Sequence, residues 1–125
     1  MGAWYLSHKI IMGTAAAPLD LLQGTLDLLV LKALAWGPRH GYAVATWIRE
    51  RSGEQLLVEE GALYPALHRL ERRAWLAAEW GLSENNRKAK YYRLTAKGRT
   101  QLRAELSLWE RYVGAVGKVL RTAEH

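Results

Sequence analysis

Residues 60–73 have the sequence EGALYPALHRLERR, which predicts a helix with one apolar and one basic face. The apolar residues recur at helical spacing, at Leu63, Leu67, Leu70 and Ala74. Pro65 is tolerated in the first turn of a helix, where its missing N–H costs no hydrogen bond, so the helix is expected to span about 62–73. The opposite face then carries Tyr64, Pro65, His68, Arg69 and Arg72.

Two more helices are predicted upstream of this segment. The first spans about 19–36, is apolar around most of its circumference, and ends at Gly37-Pro38. The second spans about 40–51, where His40 caps or begins the helix and Ser52-Gly53 ends it. Its expected buried side is formed by Tyr42 or Ala43, Ala45, Trp47 and Ile48. Because the link between these helices is short, they must pack as neighbours at a sharp angle.

The hydrophobic period changes after residue 74. Residues 75–82 alternate in the manner of a strand, 83–88 are polar turn residues, and 90–94 are rich in strand formers. This pattern predicts a β-hairpin. Tyr91 and Tyr92 lie on opposite faces of the second strand, so one is expected in the core and the other at the surface. The tip and its flank carry Asn85, Asn86, Arg87, Lys88 and Lys90.

A long final helix is predicted after Thr95, which is expected to cap it. Its apolar residues recur at spacings of 4, 3, 4, 3 and 4, at Leu102, Leu106, Trp109, Val113, Val116 and Leu120. This is the seam of a coiled coil over almost three heptads, and a domain this small has no other surface to cover it. The seam predicts a homodimer. Trp109 either packs in that interface or lines a pocket for an aromatic ligand, and both readings stay open.

The composition excludes several classes of protein. The chain has 125 residues and no cysteine, so one domain is expected, without disulfides, thiolate zinc sites, iron–sulfur clusters or a cysteine nucleophile. No apolar run approaches the roughly 18–20 residues of a membrane span, and 1–17 lack the features of a signal peptide. A cytoplasmic protein without a membrane partner is therefore expected. Residues 1–18 look like an N-terminal extension, within which Met12 is a second candidate start.

The net charge of +6 is concentrated in one part of the sequence. Nine basic and three acidic residues lie between Arg69 and Arg99, so this quarter of the chain carries the whole excess. A concentrated basic block indicates a positive surface for nucleic acid, although a solvated basic face without a partner is the alternative.

The order of elements predicts a winged helix-turn-helix. The fold class is mainly α with a small β-hairpin (α+β), with the winged helix-turn-helix at 19–95 and a dimerisation helix at 96–125. In this architecture the third helix enters the major groove and the hairpin lies along the DNA backbone or the minor groove. The candidate DNA-binding residues are Tyr42, Tyr64, Pro65, His68, Arg69, Arg72, Asn85, Arg87, Lys88 and Lys90.

Three stretches resemble the PadR family of bacterial transcriptional regulators. They are Leu34 through His40-Gly41-Tyr42, the run from Glu60 to Glu71, and Ala89 through Leu94-Thr95 to Gly98. The resemblance covers about 21–120, and the single terminal helix is similar to the branch with the short C-terminal region. It implies a homodimeric, ligand-responsive repressor that binds double-stranded DNA at an inverted-repeat operator. Ala62 departs from the family, which usually has Ser or Thr there, so one capping or phosphate contact is in doubt.

Two other classes of function are weighed against this one. An enzyme is not expected, because no carboxylate pair sits near His40 or His68 in an apolar setting, no two histidines have metal-ligand spacing, and no glycine-rich phosphate loop is present. No catalytic residue, metal or cofactor is predicted. A winged-helix module for protein assembly is the alternative, and the basic block argues against it. A small aromatic effector is a further possible partner, bound at Trp109 with Trp4 or Tyr5 of the extension near the same seam.

Overall fold

The computed structural model describes residue 21 and residues 24–123, so the predicted extension, with Trp4, Tyr5 and Met12, lies outside the described residues. In the described part, four helices surround a three-stranded antiparallel sheet of order β1-β3-β2. The elements are α1 (Thr25–Ala33), β1 (Arg39–His40), α2 (Gly41–Arg51), α3 (Glu60–Arg72), β2 (Leu76–Leu82), β3 (Lys88–Leu94) and α4 (Ala96–Leu120). The predicted α+β winged-helix class is confirmed.

One apolar core joins the three compact helices to the base of the hairpin. Its fully buried side chains come from α1, α2, α3 and both long strands, and they include Leu31, Val44, Leu63, Leu67, Leu70, Leu76 and Tyr92. Leu102, near the start of α4, is also part of this core. The leucine stripe of α3 therefore packs inward as its spacing predicts, and this fixes the outward direction of the opposite face.

The first helix is shorter than predicted. Gly24 has a φ of 89° and precedes Thr25, so the helix does not run continuously through that point. Its other end lies at Ala33 rather than near residue 36, because Leu34 already leaves helical geometry. Two arginines satisfy carbonyl groups at this end: Arg39 Nε donates to Ala33 O at 2.9 Å, and Arg99 Nη1 donates to Ala35 O at 3.2 Å.

The ends of α2 agree with the prediction, and its buried face agrees in part: Ile48 is buried and Ala45 and Trp47 pack against the core, but Tyr42 does not. His40 is the N-cap, with Nδ1 accepting from Ala43 N at 3.2 Å, and Ser52 is the C-cap. The buried residues are Gly41, Val44 and Ile48, whereas Tyr42 is 68 % exposed. A Cβ on Gly41 would lie 2.8 Å from Cε1 of Tyr64, so α2 meets α3 through this glycine. That close approach rotates Tyr42 toward solvent.

The third helix ends near Arg73 as predicted, but its start and the role of Ala74 differ from the prediction. It begins at Glu60, so Pro65 lies in the second turn and the expectation of a start near 62 is wrong. Pro65 has no N–H to donate to the carbonyl of Gly61, so this helical hydrogen bond is missing. Gly61 is exposed, and its carbonyl can bind water instead. Ala74 ends the helix instead of extending its stripe: it has a φ of 64°, and Trp75 N donates to Leu70 O at 3.1 Å. This is a Schellman motif with alanine at the position that favours glycine.

The sheet contains one strand that the sequence pattern missed. β1 has two residues and pairs Arg39 with Tyr92 and His40 with Tyr91. The hairpin itself is as predicted, with Leu76 opposite Leu94 at its base and Leu82 opposite Lys88 at its tip. Tyr92 is buried, and Tyr91 is half-buried with its hydroxyl donating to Leu82 O at 2.8 Å. The core position of one tyrosine is confirmed at Tyr92, whereas Tyr91 is intermediate rather than fully at the surface. The Thr95 cap is confirmed, with Oγ1 accepting from Gly98 N at 2.9 Å.

Candidate nucleic-acid interface

The outer face of α3 presents four of its five predicted residues to solvent. Tyr64, Pro65, His68 and Arg72 are exposed, on the side of the helix opposite its buried leucines. Ala62 is also exposed in the first turn, and the N-cap residue Glu59 makes no side-chain hydrogen bond there. The start of α3 therefore has no side-chain cap from Glu59, and its Ala62 and Leu63 N–H groups donate to Glu59 O.

Arg69, the fifth residue, is directed toward the first helix. Its Nη2 donates to Oδ1 of Asp27 at 2.5 Å and its Nε donates to Oδ2 at 3.3 Å. Arg73 approaches the same carboxylate, with Nη1 3.8 Å from Oδ2. The hydrogen bond that Arg69 donates to Asp27 raises the pKa of Arg69 against an opposing effect of burial. The structure thus gives Arg69 a partner in α1 and leaves His68 and Arg72 as the outward polar groups of this face.

The hairpin, here called the wing (residues 76–94), carries its cations in two different settings. Asn85, Asn86, Arg87 and Lys88 are exposed at the tip, and Lys88 Nζ lies 5.1 Å from the centre of the Trp80 ring. Lys90 is half-buried, and its Nζ donates to Oε1 of Glu71 at 3.2 Å. This hydrogen bond raises the pKa of Lys90. Lys90 therefore ties the wing to α3, and the tip residues supply the unpaired charge.

A cleft of about 370 Å³ brings the wing together with the two helices of the helix-turn-helix. Its walls include Tyr42 from α2, Tyr64 from α3, and Arg87, Lys88 and Lys90 from the wing. His40 and Trp80 also line it, and neither was among the predicted binding residues. Trp80 stands opposite Lys90 in the strand register, so its position could have been found from the hairpin pairing. The cleft is open, positively charged and partly aromatic, which suits a polyanion.

The seam of α4 is only partly covered by its own chain. Leu102 is buried in the core, but Leu106, Val113, Val116 and Leu120 are exposed, the last by 78 %. Trp109 is half-buried in a groove of about 430 Å³ between α1 and α4. The other walls of this groove are Gly24, Thr25, Leu28, Glu105, Leu108 and Tyr112. The groove is formed within one chain, and the sequence pattern did not single out its residues Leu28, Leu108 and Tyr112.

The described residues form neither a metal site nor a membrane span. Across 24–123 no group of three His, Asp or Glu side chains could hold a metal ion. Within that same stretch no helix is both long and apolar enough to cross a bilayer.

The comparisons with known proteins agree with this architecture. A curated protein of Lysinibacillus sphaericus, described as "uncharacterized protein X", is 30% identical over 90 residues, which are 72% of this chain and 83% of that one. A PadR family transcriptional regulator from Eggerthella lenta is 36% identical with a TM-score of 0.70, over 81% of this chain and 86% of that one. A transcriptional regulator from Clostridium thermocellum has the same TM-score at 28% identity, over 77% of this chain and 93% of that one.

The family profile described as "Transcriptional regulator PadR-like family" matches residues 30–104, a span that contains the helix-turn-helix, the wing and the first third of α4. The solved relatives are transcriptional regulators rather than enzymes, in agreement with the expectation from the sequence. This chain belongs to the PadR-like family of transcriptional regulators.

Proposed function

We propose that this regulator is a homodimeric repressor that binds an inverted-repeat operator in double-stranded DNA and acts in the cytoplasm, on the nucleoid. The observation that carries the proposal is the common cleft of α3, α2 and the wing, where exposed cations and tyrosine hydroxyls meet. Phosphate neutralisation needs such flexible cations, and base recognition needs a helix with outward polar side chains. The wing cations line one cleft together with Tyr64 of α3, and His68 and Arg72 are exposed further along the same helix.

The candidate residues divide into two groups by their settings. His68 and Arg72 are assigned to base edges in the major groove, where arginine prefers guanine. Tyr42, Tyr64 and Pro65 lie at the phosphate boundary of that groove, and Asn85, Arg87 and Lys88 follow the backbone beside the wing. Arg69 and Lys90 are assigned mainly to positioning, because each already binds a carboxylate. Either side chain can contact DNA only after its ion pair with the carboxylate opens.

The dimer is proposed to form through the exposed part of the seam. Support comes from the exposed side chains Leu106, Val113 and Val116, which lie on one face of α4 beyond the core. Packing them against a second copy removes apolar surface at about 25 cal/mol per Å². A two-fold axis at this helix would set the two α3 helices at a fixed separation. The half-sites of the operator are then expected about 10 base pairs apart, or a multiple of that spacing.

A flat aromatic effector is proposed to bind in the groove at Trp109 and to lower operator affinity. Leu28 lines this groove, and the adjacent Asp27 binds Arg69 of α3. A ligand that shifts the first turn of α1 would therefore move the partner of the DNA-reading helix. A coupling of about 1–3 kcal/mol is sufficient for regulation. Tryptophan fluorescence with a panel of aromatic compounds tests this idea. Trp109→Ala is expected to lower the affinity for the inducer at least as much as it alters the affinity for the operator. An inducer whose affinity is unchanged by Trp109→Ala would place the pocket elsewhere.

Selection from random duplex DNA tests the main proposal. The purified protein is expected to enrich an inverted repeat and to lose affinity steeply as salt rises. Enrichment of no sequence, with a steep salt dependence, would mean nonspecific binding only. Absence of binding even at low salt would favour the alternative, a winged-helix module for protein assembly.

A further inference from the structure

A second aromatic and basic surface lies outside the DNA cleft. Trp36 is 68 % exposed after the end of α1, and its ring centre is 5.8 Å from that of Trp47 on α2. Together with Lys32, Arg39 and Arg51 these two residues form what we call the tryptophan patch. Arg39, Arg51 and the two tryptophans line a cavity of about 510 Å³. Exposed apolar patches that are rimmed by polar residues mark interaction sites.

The tryptophan patch does not belong to the proposed DNA surface. Tyr42 and Trp47 are five residues apart on α2, which places them about 140° apart around the helix axis. The core-facing residues Val44 and Ile48 lie between them on the inner side, so the two aromatic rings flank opposite sides of α2. No residue lines both cavities. A molecule in the patch and DNA in the cleft therefore need not compete.

The charges of the patch have no acidic counterpart among the residues that the structure describes. Lys32 Nζ lies 4.7 Å from the Trp36 ring centre, and the guanidinium carbons of Arg39 and Arg51 each lie 5.8 Å from that of Trp47. The ion pairs in the described part of the chain involve other cations, those of Arg49, Arg69, Arg73 and Lys90. Arg39 is further held by its hydrogen bond to Ala33 O. Three cations are thus concentrated around two rings without a carboxylate.

We propose that the tryptophan patch is a docking site for an acidic segment of a partner protein, with carboxylates around one apolar or aromatic side chain. Carboxylates would pair with Arg39, Arg51 and Lys32, and the apolar side chain would cover Trp36. Charge complementarity selects this occupant, because three unpaired cations favour an anionic partner. A stacked nucleic-acid base is the less favoured occupant, because the guanidinium carbons of Arg39 and Arg51 lie 5.8 Å from the Trp47 ring centre and leave only Trp36 free to stack. Tryptophan and arginine are also the residues that contribute most to protein interfaces.

The test uses the full chain and a fluorescein-labelled, amidated peptide of glutamates around one phenylalanine. A peptide with glutamine in place of glutamate is the matched probe. Anisotropy is measured with saturating duplex DNA present, so that the cations of the cleft are occupied. The acidic peptide is expected to bind and the glutamine peptide to bind about ten-fold more weakly or not at all. Trp36→Ala and Arg51→Glu are each expected to lower the affinity about ten-fold, since both residues are exposed and outside the core.

Three variants separate this site from general charge effects. Lys97→Glu makes the same charge change as Arg51→Glu at an exposed position in the first turn of α4, and it should change peptide affinity less than about two-fold. Lys88→Glu should weaken DNA and spare the peptide, whereas Arg51→Glu should do the reverse. Equal binding of both peptides, or equal losses with Lys97→Glu and Arg51→Glu, would overturn the proposal. Tighter binding of single-stranded oligothymidine that depends on Trp36 would overturn it in favour of nucleic acid.

Discussion

Asp27 of α1 holds Arg69 of α3 by a two-point hydrogen-bonded ion pair and also attracts Arg73 one turn further along. The pair joins the helix that lines the Trp109 groove to the helix that carries His68 and Arg72. Asp27 and Arg69 are 42 residues apart in the chain, so this link exists only in the folded protein. The helical pattern places Arg69 on the face of α3 that is predicted to enter the DNA major groove. In the folded protein the ion pair makes Arg69 a connection between α1 and α3.

Asp27→Asn is expected to destabilise the protein, because it removes the charged partner of Arg69 and Arg73. The side chains of Asp27 and Arg69 are 24% and 38% exposed, so solvent screens the pair and a coupling energy of about 1 kcal/mol is expected. A double-mutant cycle with Arg69→Gln, followed by urea unfolding, measures this coupling. Additive effects of the two substitutions would show that the pair contributes nothing to stability. Arg103→Gln, at an exposed site on α4, is the control for loss of an arginine.

Ala74→Gly is expected to stabilise the protein by about 1 kcal/mol. A left-handed conformation costs an L-residue about 1–2 kcal/mol, and glycine adopts it without that penalty, partly offset by its greater freedom when unfolded. Ala74 is exposed, so no buried contact is lost. Thermal or urea unfolding measures the change. Ala104→Gly is the matched control at an exposed position inside α4, where glycine should destabilise by about 1 kcal/mol. A destabilised Ala74→Gly variant would contradict the Schellman assignment.

Val113→Glu, alone or with Trp109→Glu, is expected to convert the proposed dimer to monomers or to insoluble chain. A carboxylate in the apolar seam would be buried without a partner, which costs several kcal/mol. Sedimentation velocity measures the result. Val119→Glu is the control, because Val119 lies on the same helix but off the seam and is 73 % exposed. A stable dimer of the doubly substituted protein would show that the seam is misassigned, and dissociation by Val119→Glu alone would move the interface to another face of α4.

Periodicity and turn chemistry predict much of this fold. The spacing of Leu63, Leu67 and Leu70 places all three on one face of a helix, which can then be buried. The alternation after residue 74 fits a strand. Caps such as Thr95 and His40 follow from local hydrogen bonding. β1 escapes detection because two residues, Arg39 and His40, carry no period at all.

The details of the candidate site depend on contacts between distant segments. Arg69 and Lys90 have long side chains, and their positions in a helix or strand do not determine where the charged groups lie. Their carboxylate partners, Asp27 and Glu71, come from other elements. Tyr42 turns outward because Gly41 packs against the ring of Tyr64, another contact between elements. The helix end at Ala74 depends on a backbone conformation that alanine normally avoids. None of these is a property of a local window of sequence.

The most direct test of the account compares three alanine variants on a selected operator and on random duplex DNA across a salt series. His68→Ala and Arg72→Ala are each expected to reduce the ratio of specific to random affinity, because they are assigned to base edges. Expressed as a free energy of binding, the loss of discrimination is about 1–3 kcal/mol for each variant. Lys88→Ala is expected to weaken both DNAs alike and to lower the salt slope by about one unit, while leaving that ratio unchanged. Equal losses on both DNAs for all three variants, or a change in sequence preference caused by Lys88→Ala, would contradict the division between a reading helix and a phosphate-binding wing.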